Sequence, residues 1–129
     1  MKIGEDFDKM EFSMFGLDLL EPNALLSDSL ITIVALFFAY KISKKFPVNE
    51  SFYFYWKWLF ILQGISFFLG GMGHVLYNYT GVWGKYFPLA TAVGFIAVIE
   101  HAVICLLPEE KRKIYFNLSK LKAVLAIVV

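Results

Sequence analysis

A single cysteine, Cys105, in a chain of 129 residues excludes an internal disulfide framework. It lies inside an apolar run and reads as a small buried hydrophobe. The two histidines, His74 and His101, are too few for an all-imidazole metal site. A zinc ion here would need carboxylates or Cys to complete about three protein ligands. No Walker loop, nucleophile elbow, dinucleotide fingerprint or CxxC pair is present. Net charge is only +1, so no global field argues for nucleic acid as a partner. The stretch from Met1 to Leu20 is acidic and mixed, whereas a cleavable signal needs a basic start and an unbroken apolar core. Internal repeats, low-complexity tracts and heptads are also missing.

Apolar residues fill the space these absences leave. They make up 59% of the chain, against about 45–50% in ordinary soluble domains. Aromatics reach 19%, and the mean hydropathy is +0.64. A soluble core of this size could not bury so much apolar surface. Three long runs stand out, at about 25–42, 56–79 and 88–107. Each is near the roughly 20 residues that cross a hydrocarbon layer of about 30 Å. Lipid cannot satisfy backbone polar groups, so the runs must be helices. The fold class is therefore all-α, a polytopic transmembrane helix bundle with three full spans plus a partial fourth at 121–129. The last run is too short to span. It reads as a half-inserted helix or, on the balance of the pattern, as the start of a span in a longer protein. Residues 1–24 read as an acidic extracytoplasmic segment, and 25–129 as the bundle.

Helix ends have recognisable signals. Asn23, Ser27 and Asp28 offer caps before the first span. Pro88 suits a first helical turn, and Pro108 stops the third span. Met1 to Leu20 reads equally as a short interfacial helix, through Phe7, Met10, Met14 and Phe15, or as a disordered tail. Lys41, Lys44, Lys45 and Lys57 bracket the first loop. Lys111, Arg112, Lys113, Lys120 and Lys122 crowd the third, whereas the second has only Lys85. The positive-inside rule then puts the N-terminus outside and loops 43–55 and 108–120 in the cytoplasm.

Polar groups inside the spans are the functional candidates, because each costs roughly 2.5–3.5 kcal/mol at the bilayer centre. Glu100 and His101 sit in the third span. Ala90, Gly94, Ala97 and His101 share one helix face, which turns His101 toward a neighbouring helix. Gln63, Ser66, Gly70, Gly73, His74, Tyr77 and Asn78 form a stripe on the second span. Asp28, Thr32, Ala35 and Ala39 form another on the first, with Asp28 read most simply as a helix cap. Asp28, His74 and Asn78, with Glu21 and Asn23 just beyond them, lie toward one side of the membrane. One polar pocket there is the simplest joint reading. His74 and His101 differ in depth by too much to share one metal.

Glu21-Pro22-Asn23, then Ser27-Asp28-Ser29, and finally Gly71-Met72-Gly73-His74-Val75-Leu76-Tyr77-Asn78 resemble segments of the alkaline ceramidases. These belong to a seven-helix membrane hydrolase superfamily with the progestin and adiponectin receptors. That family carries E-P-N, then G-x-G-S-x-x-x-H, whose Ser and His serve a zinc site. A third-span Asp and a late H-x-x-x-H complete it. Here His74 stands in place of the Ser and Asn78 in place of the His. Glu100 and His101 lie deeper than the Asp, and no H-x-x-x-H follows. The resemblance implies a divergent relative that handles a lipid amide or ester, with zinc-bound water as nucleophile and His74 nearest the chemistry.

Three functions stay open on the sequence. The first is a lipid pocket of hydrolase type, with His74 as a metal ligand, His74, Glu100 and His101 as catalytic candidates, and Glu21, Asn23, Asp28 and Asn78 contacting substrate. The second is a non-enzymatic component that forms homo-oligomers through its small-residue faces. The third is a proton-coupled transporter subunit using Glu100 and His101. Whether the chain is an enzyme is not decided by these residues. The lipid bilayer, and in the first case a lipid ligand, are the implied partners.

Overall fold

The computed structural model describes residues 10–47 and 51–128. Two short strands open it, β1 (Glu11–Met14) and β2 (Leu17–Leu20), followed by helices α1 (Pro22–Lys45) and α2 (Ser51–Val75). A single helical turn, α3 (Tyr77–Thr80), and a 3-10 turn (Gly81–Lys85) lead into α4 (Tyr86–Ile104) and α5 (Glu109–Val128). Three stretches are long and apolar enough to cross a membrane: Pro22–Lys45, Phe52–Val75 and Tyr77–Ile104. The chain is an all-α membrane protein, with a small hairpin ahead of its helices.

The bundle is built around α2, which packs against α1 on one side and α4 on the other. Small residues make this possible. A Cβ added at Gly71 would sit 3.0 Å from Leu25 Cα, and one at Gly64 would lie 3.4 Å from the Thr32 carbonyl oxygen. Ala35 and Ala39 are buried on the facing side of α1. Thr32 Oγ1 donates to the Gly64 carbonyl at 2.9 Å, tying the two backbones together where they pass. Between α2 and α4, the Ser66 hydroxyl donates to the Pro88 carbonyl at 3.0 Å. Gly94 faces Leu62, with an added Cβ 3.7 Å from its methyl. The small-residue stripes are thus spent inside the chain, joining its own helices. The large side chains Ile33, Phe37, Phe54, Phe68, Leu89 and Ile96 point outward. Only 11%, 28% and 11% of the three spanning windows is buried within the chain, which suits helices whose solvent is lipid.

Four expectations from the sequence change. The N-terminal segment is neither helix nor tail from Glu11 onward, but an antiparallel hairpin with Met14 opposite Leu17. Phe15 and Gly16 at its tip have φ of 54° and 76°, the paired left-handed residues of a two-residue turn whose twist matches the strands. The portion before Met10, with Phe7, lies outside the described residues. The first helix starts at Pro22, with Glu21 at its N-cap and no side-chain cap bond. Asp28 is therefore not a cap but lies well inside α1, against Gly70 and Gly71 of α2. The second span stops at Val75, so Asn78 sits on α3 and not on the α2 stripe. Lastly, the segment 108–120 is not a loop: the 20-residue α5 runs without a break from Glu109 through the apolar run at 121. Its acidic first turn, Glu109 and Glu110, complements the helix dipole, and the connection from α4 shrinks to a turn ending at Pro108.

Gly73 carries the closest approach of α2 to a neighbouring backbone. A Cβ there would lie 2.9 Å from the Gly84 carbonyl oxygen, pushing α2 away from the 3-10 turn. Gly73→Ala is expected to lower thermal stability in detergent by about 1–3 kcal/mol, the usual cost of overpacking. At Gly70 an added Cβ meets only the Asp28 carboxylate, at 3.6 Å. Gly70→Ala should therefore melt within about 0.5 kcal/mol of the wild type. Equal melting losses in the two variants would contradict this account.

Candidate functional site

Polar groups gather where the hairpin, the start of α1 and the end of α2 meet. His74 sits in the last turn of α2. Its Nδ1 lies 2.8 Å from Oε2 of Glu21, the residue that joins β2 to α1. Glu21 holds a left-handed backbone, φ 49°, and its amide donates to the Met10 carbonyl at 2.8 Å. The hairpin thus pins the carboxylate that reaches His74. Two further bonds fasten the same hairpin to α3. Asn78 Nδ2 donates to the Asp18 carbonyl at 3.1 Å, and the Asp18 amide donates to the Tyr79 hydroxyl at 2.9 Å. Ser13 Oγ closes the hairpin on the Asp18 carboxylate at 2.7 Å.

Below this cluster a cleft of about 330 Å³ opens between α1, α2 and α4. Asp28, Ser66, Gly70 and His74 supply its polar and small surface, and Phe67 and Phe95 its apolar walls. Among the described residues the Asp28 carboxylate has no hydrogen-bond or ion-pair partner. Glycine at 70 leaves the space in front of it open. Of the residues singled out in the sequence, Glu21, Asp28 and His74 therefore come to one place. Asn78 is nearby but serves the hairpin. Asn23 is exposed at the start of α1 and lines no part of the cleft.

Glu100 and His101 lie elsewhere. Glu100 accepts a bond from Ser119 Oγ at 2.7 Å and forms an ion pair with Lys122, both on α5. The His101 ring stands edge-on to Tyr55 of α2 at 5.3 Å and to Phe116 of α5 at 4.9 Å. Its Nε2 is buried with no hydrogen-bond partner among the described residues. Tyr55 and His74 are 19 residues apart on one helix, about 28 Å at 1.5 Å per residue. The two histidines thus belong to opposite ends of the bundle.

The zinc implied by the ceramidase-like segments does not fit the donors present. No three His, Cys, Asp or Glu side chains converge among the described residues. Among the described residues the donor set at His74 is the imidazole and Glu21, short of the three protein ligands a zinc centre uses. Asp18, Tyr79, Ser119 and Lys122 went unnoticed as partners in the sequence. Each bond spans 19 to 61 positions, for which spacing carries no signal.

One family model matches the chain, over residues 23–129, and its description is a family of unknown function (DUF6962). No curated protein and no solved structure matches.

The hairpin is held to the bundle by few bonds, so removing two should free it. Asn78→Ala combined with Tyr79→Phe is expected to speed amide exchange at Asp18 and its strand neighbours by roughly tenfold or more, since each bond is worth about 0.5–1.5 kcal/mol. Exchange in α2 and α4 should stay slow. Unchanged exchange in the hairpin would show that other contacts hold it.

Proposed function

We propose that this chain, which belongs to that DUF6962 family, is a membrane-embedded receptor for a lipid-like amphiphile bearing a cationic or hydrogen-bond-donating headgroup. The observation that carries this reading is the Asp28 carboxylate, without a partner among the described residues, beside His74 in a cleft walled by Phe67 and Phe95. A carboxylate at membrane depth is costly unless a positive or donor group meets it. A long-chain amine or amino alcohol meets that need. Its headgroup binds Asp28 and its tail follows the apolar walls outward into lipid.

His74 adds chemical competence. Glu21 engages Nδ1, the arrangement in which a carboxylate orients an imidazole and leaves Nε2 for proton transfer. The resemblance to enzymes of lipid amides supports the same class of ligand. With only two donors at His74, no step is assigned to a metal. The hairpin and the cleft belong to the extracytoplasmic side in this reading, because the basic residues of α1's last turn and of α5 mark the opposite side as cytoplasmic.

A photoreactive long-chain amino alcohol, offered to the purified full chain in detergent, tests the proposal. Asp28→Asn and His74→Ala should each lower labelling by about tenfold or more, as expected for loss of a charge-assisted bond. Labelling at wild-type level in both variants would sink the reading.

A further inference from the structure

The side of the bundle remote from the cleft carries a second arrangement, on α5. At 100° per residue, Arg112, Phe116, Ser119 and Ala123 share one arc of the helix, and all are buried or half-buried toward the bundle. Ile114, Leu118, Leu121 and Leu125 occupy the opposite arc and are 63%, 54%, 57% and 55% exposed. Lys113 and Lys120 run along one flank of that apolar stripe, and Lys111 and Lys122 along the other. An apolar face bordered by lysine rows is the pattern of a helix lying in a membrane interface. A transmembrane placement is costly. It would put Lys120 and Lys122 about 16 and 20 Å from the start of the helix, deep in hydrocarbon, where a charged side chain is strongly disfavoured.

The lysine flank is also a groove. Between α5 and the first turns of α2 lies a cleft of about 480 Å³, lined by Tyr55, Arg112, Lys113, Phe116, Asn117 and Lys120. Glu109 stands at its edge as the one opposing charge among the lining residues. Arg112 is held in place by its Nε bond to the Leu107 carbonyl at 2.8 Å. Lys122 is taken up by Glu100, but Lys113 and Lys120 have no ion pair with a described residue. They lie seven positions apart, two turns, with Asn117 midway between them on the same flank.

We propose that this groove is a headgroup site for an anionic phospholipid of the adjoining leaflet. The phosphate sits between Lys113 and Lys120, within reach of the Asn117 amide and the Tyr55 hydroxyl. The acyl chains lie along Leu118, Leu121 and Leu125. Charge complementarity selects the occupant, since a neutral lipid leaves the lysines unanswered. The site is independent of the Asp28 cleft, so either can fail without the other.

The test is native mass spectrometry of the full chain in detergent, titrated with phosphatidylglycerol or with phosphatidylcholine of the same chains. The wild type is expected to retain phosphatidylglycerol preferentially. Lys113→Gln with Lys120→Gln should cut that preference by roughly tenfold or more, because each lysine near an anionic surface contributes to the attraction. Lys113→Arg with Lys120→Arg should keep it, with circular dichroism confirming equal helicity in all three proteins. Equal retention of the two lipids, or a preference unchanged by the glutamine pair, would overturn the proposal. So would full displacement of phosphatidylglycerol by inorganic phosphate, which would make this a site for the free anion. Burial of the stripe in a dimer that Leu118→Gln dissociates would assign the face to a second copy and overturn it too.

Discussion

The approach of α1 to α2 is the contact on which the other features rest. Without side chains at Gly64 and Gly71, the α1 backbone comes within reach of the α2 carbonyls. Thr32 can then bond across the gap to Gly64. In lipid such contacts replace the hydrophobic effect, because hydrocarbon solvates an isolated apolar helix as well as another helix does. The same closeness brings Asp28 against Gly70 and Gly71, so that its carboxylate looks into the bundle and not into lipid. A side chain at Gly71 would move the carboxylate as well as the helix. Stability and the polar cleft therefore share one cause.

The two ends of the bundle treat charge in opposite ways. At one end, Glu21 and His74 pair beside a carboxylate that no described residue answers, and a hairpin is laid over them. At the other, the acidic Glu100 is answered at once by Ser119 and Lys122, and the surplus positive charge of α5 is left at the surface. Among the described residues the first end leaves a carboxylate unpaired, and the second leaves Lys113 and Lys120 without an ion pair. A chain of net charge +1 can hold both because the charges are sorted along its length and not balanced locally.

Much of the architecture was legible because spanning a membrane is a matter of composition. The three apolar runs stand out without any knowledge of partners, and their small-residue stripes show which faces can be approached closely. The stripes do not reveal what approaches. Gly73 meets Gly84, and Gly94 meets Leu62, contacts that depend on the third dimension. The hairpin was missed because four-residue strands offer too few positions for alternation to register, and because the tip puts Phe15 where Asn or Asp is usual. The continuity of α5 was missed because its charged first half looked like a loop when counted by hydropathy. Its lysines become meaningful only once wound on a helix. Of the polar groups at that end, Glu21, Asp28 and His74 could be named in advance, whereas the hairpin's hold on Glu21 could not.

Glu21 is the position where these threads meet. A non-glycine residue in the left-handed region bears a backbone penalty of about 1–2 kcal/mol. Glycine would relieve that penalty and still hand its amide to Met10, but it would give up the bond to His74. Backbone ease and the hold on the imidazole therefore pull position 21 in opposite directions. A sister sequence with glycine there has released the imidazole, and one with an acid has kept it tied to the hairpin.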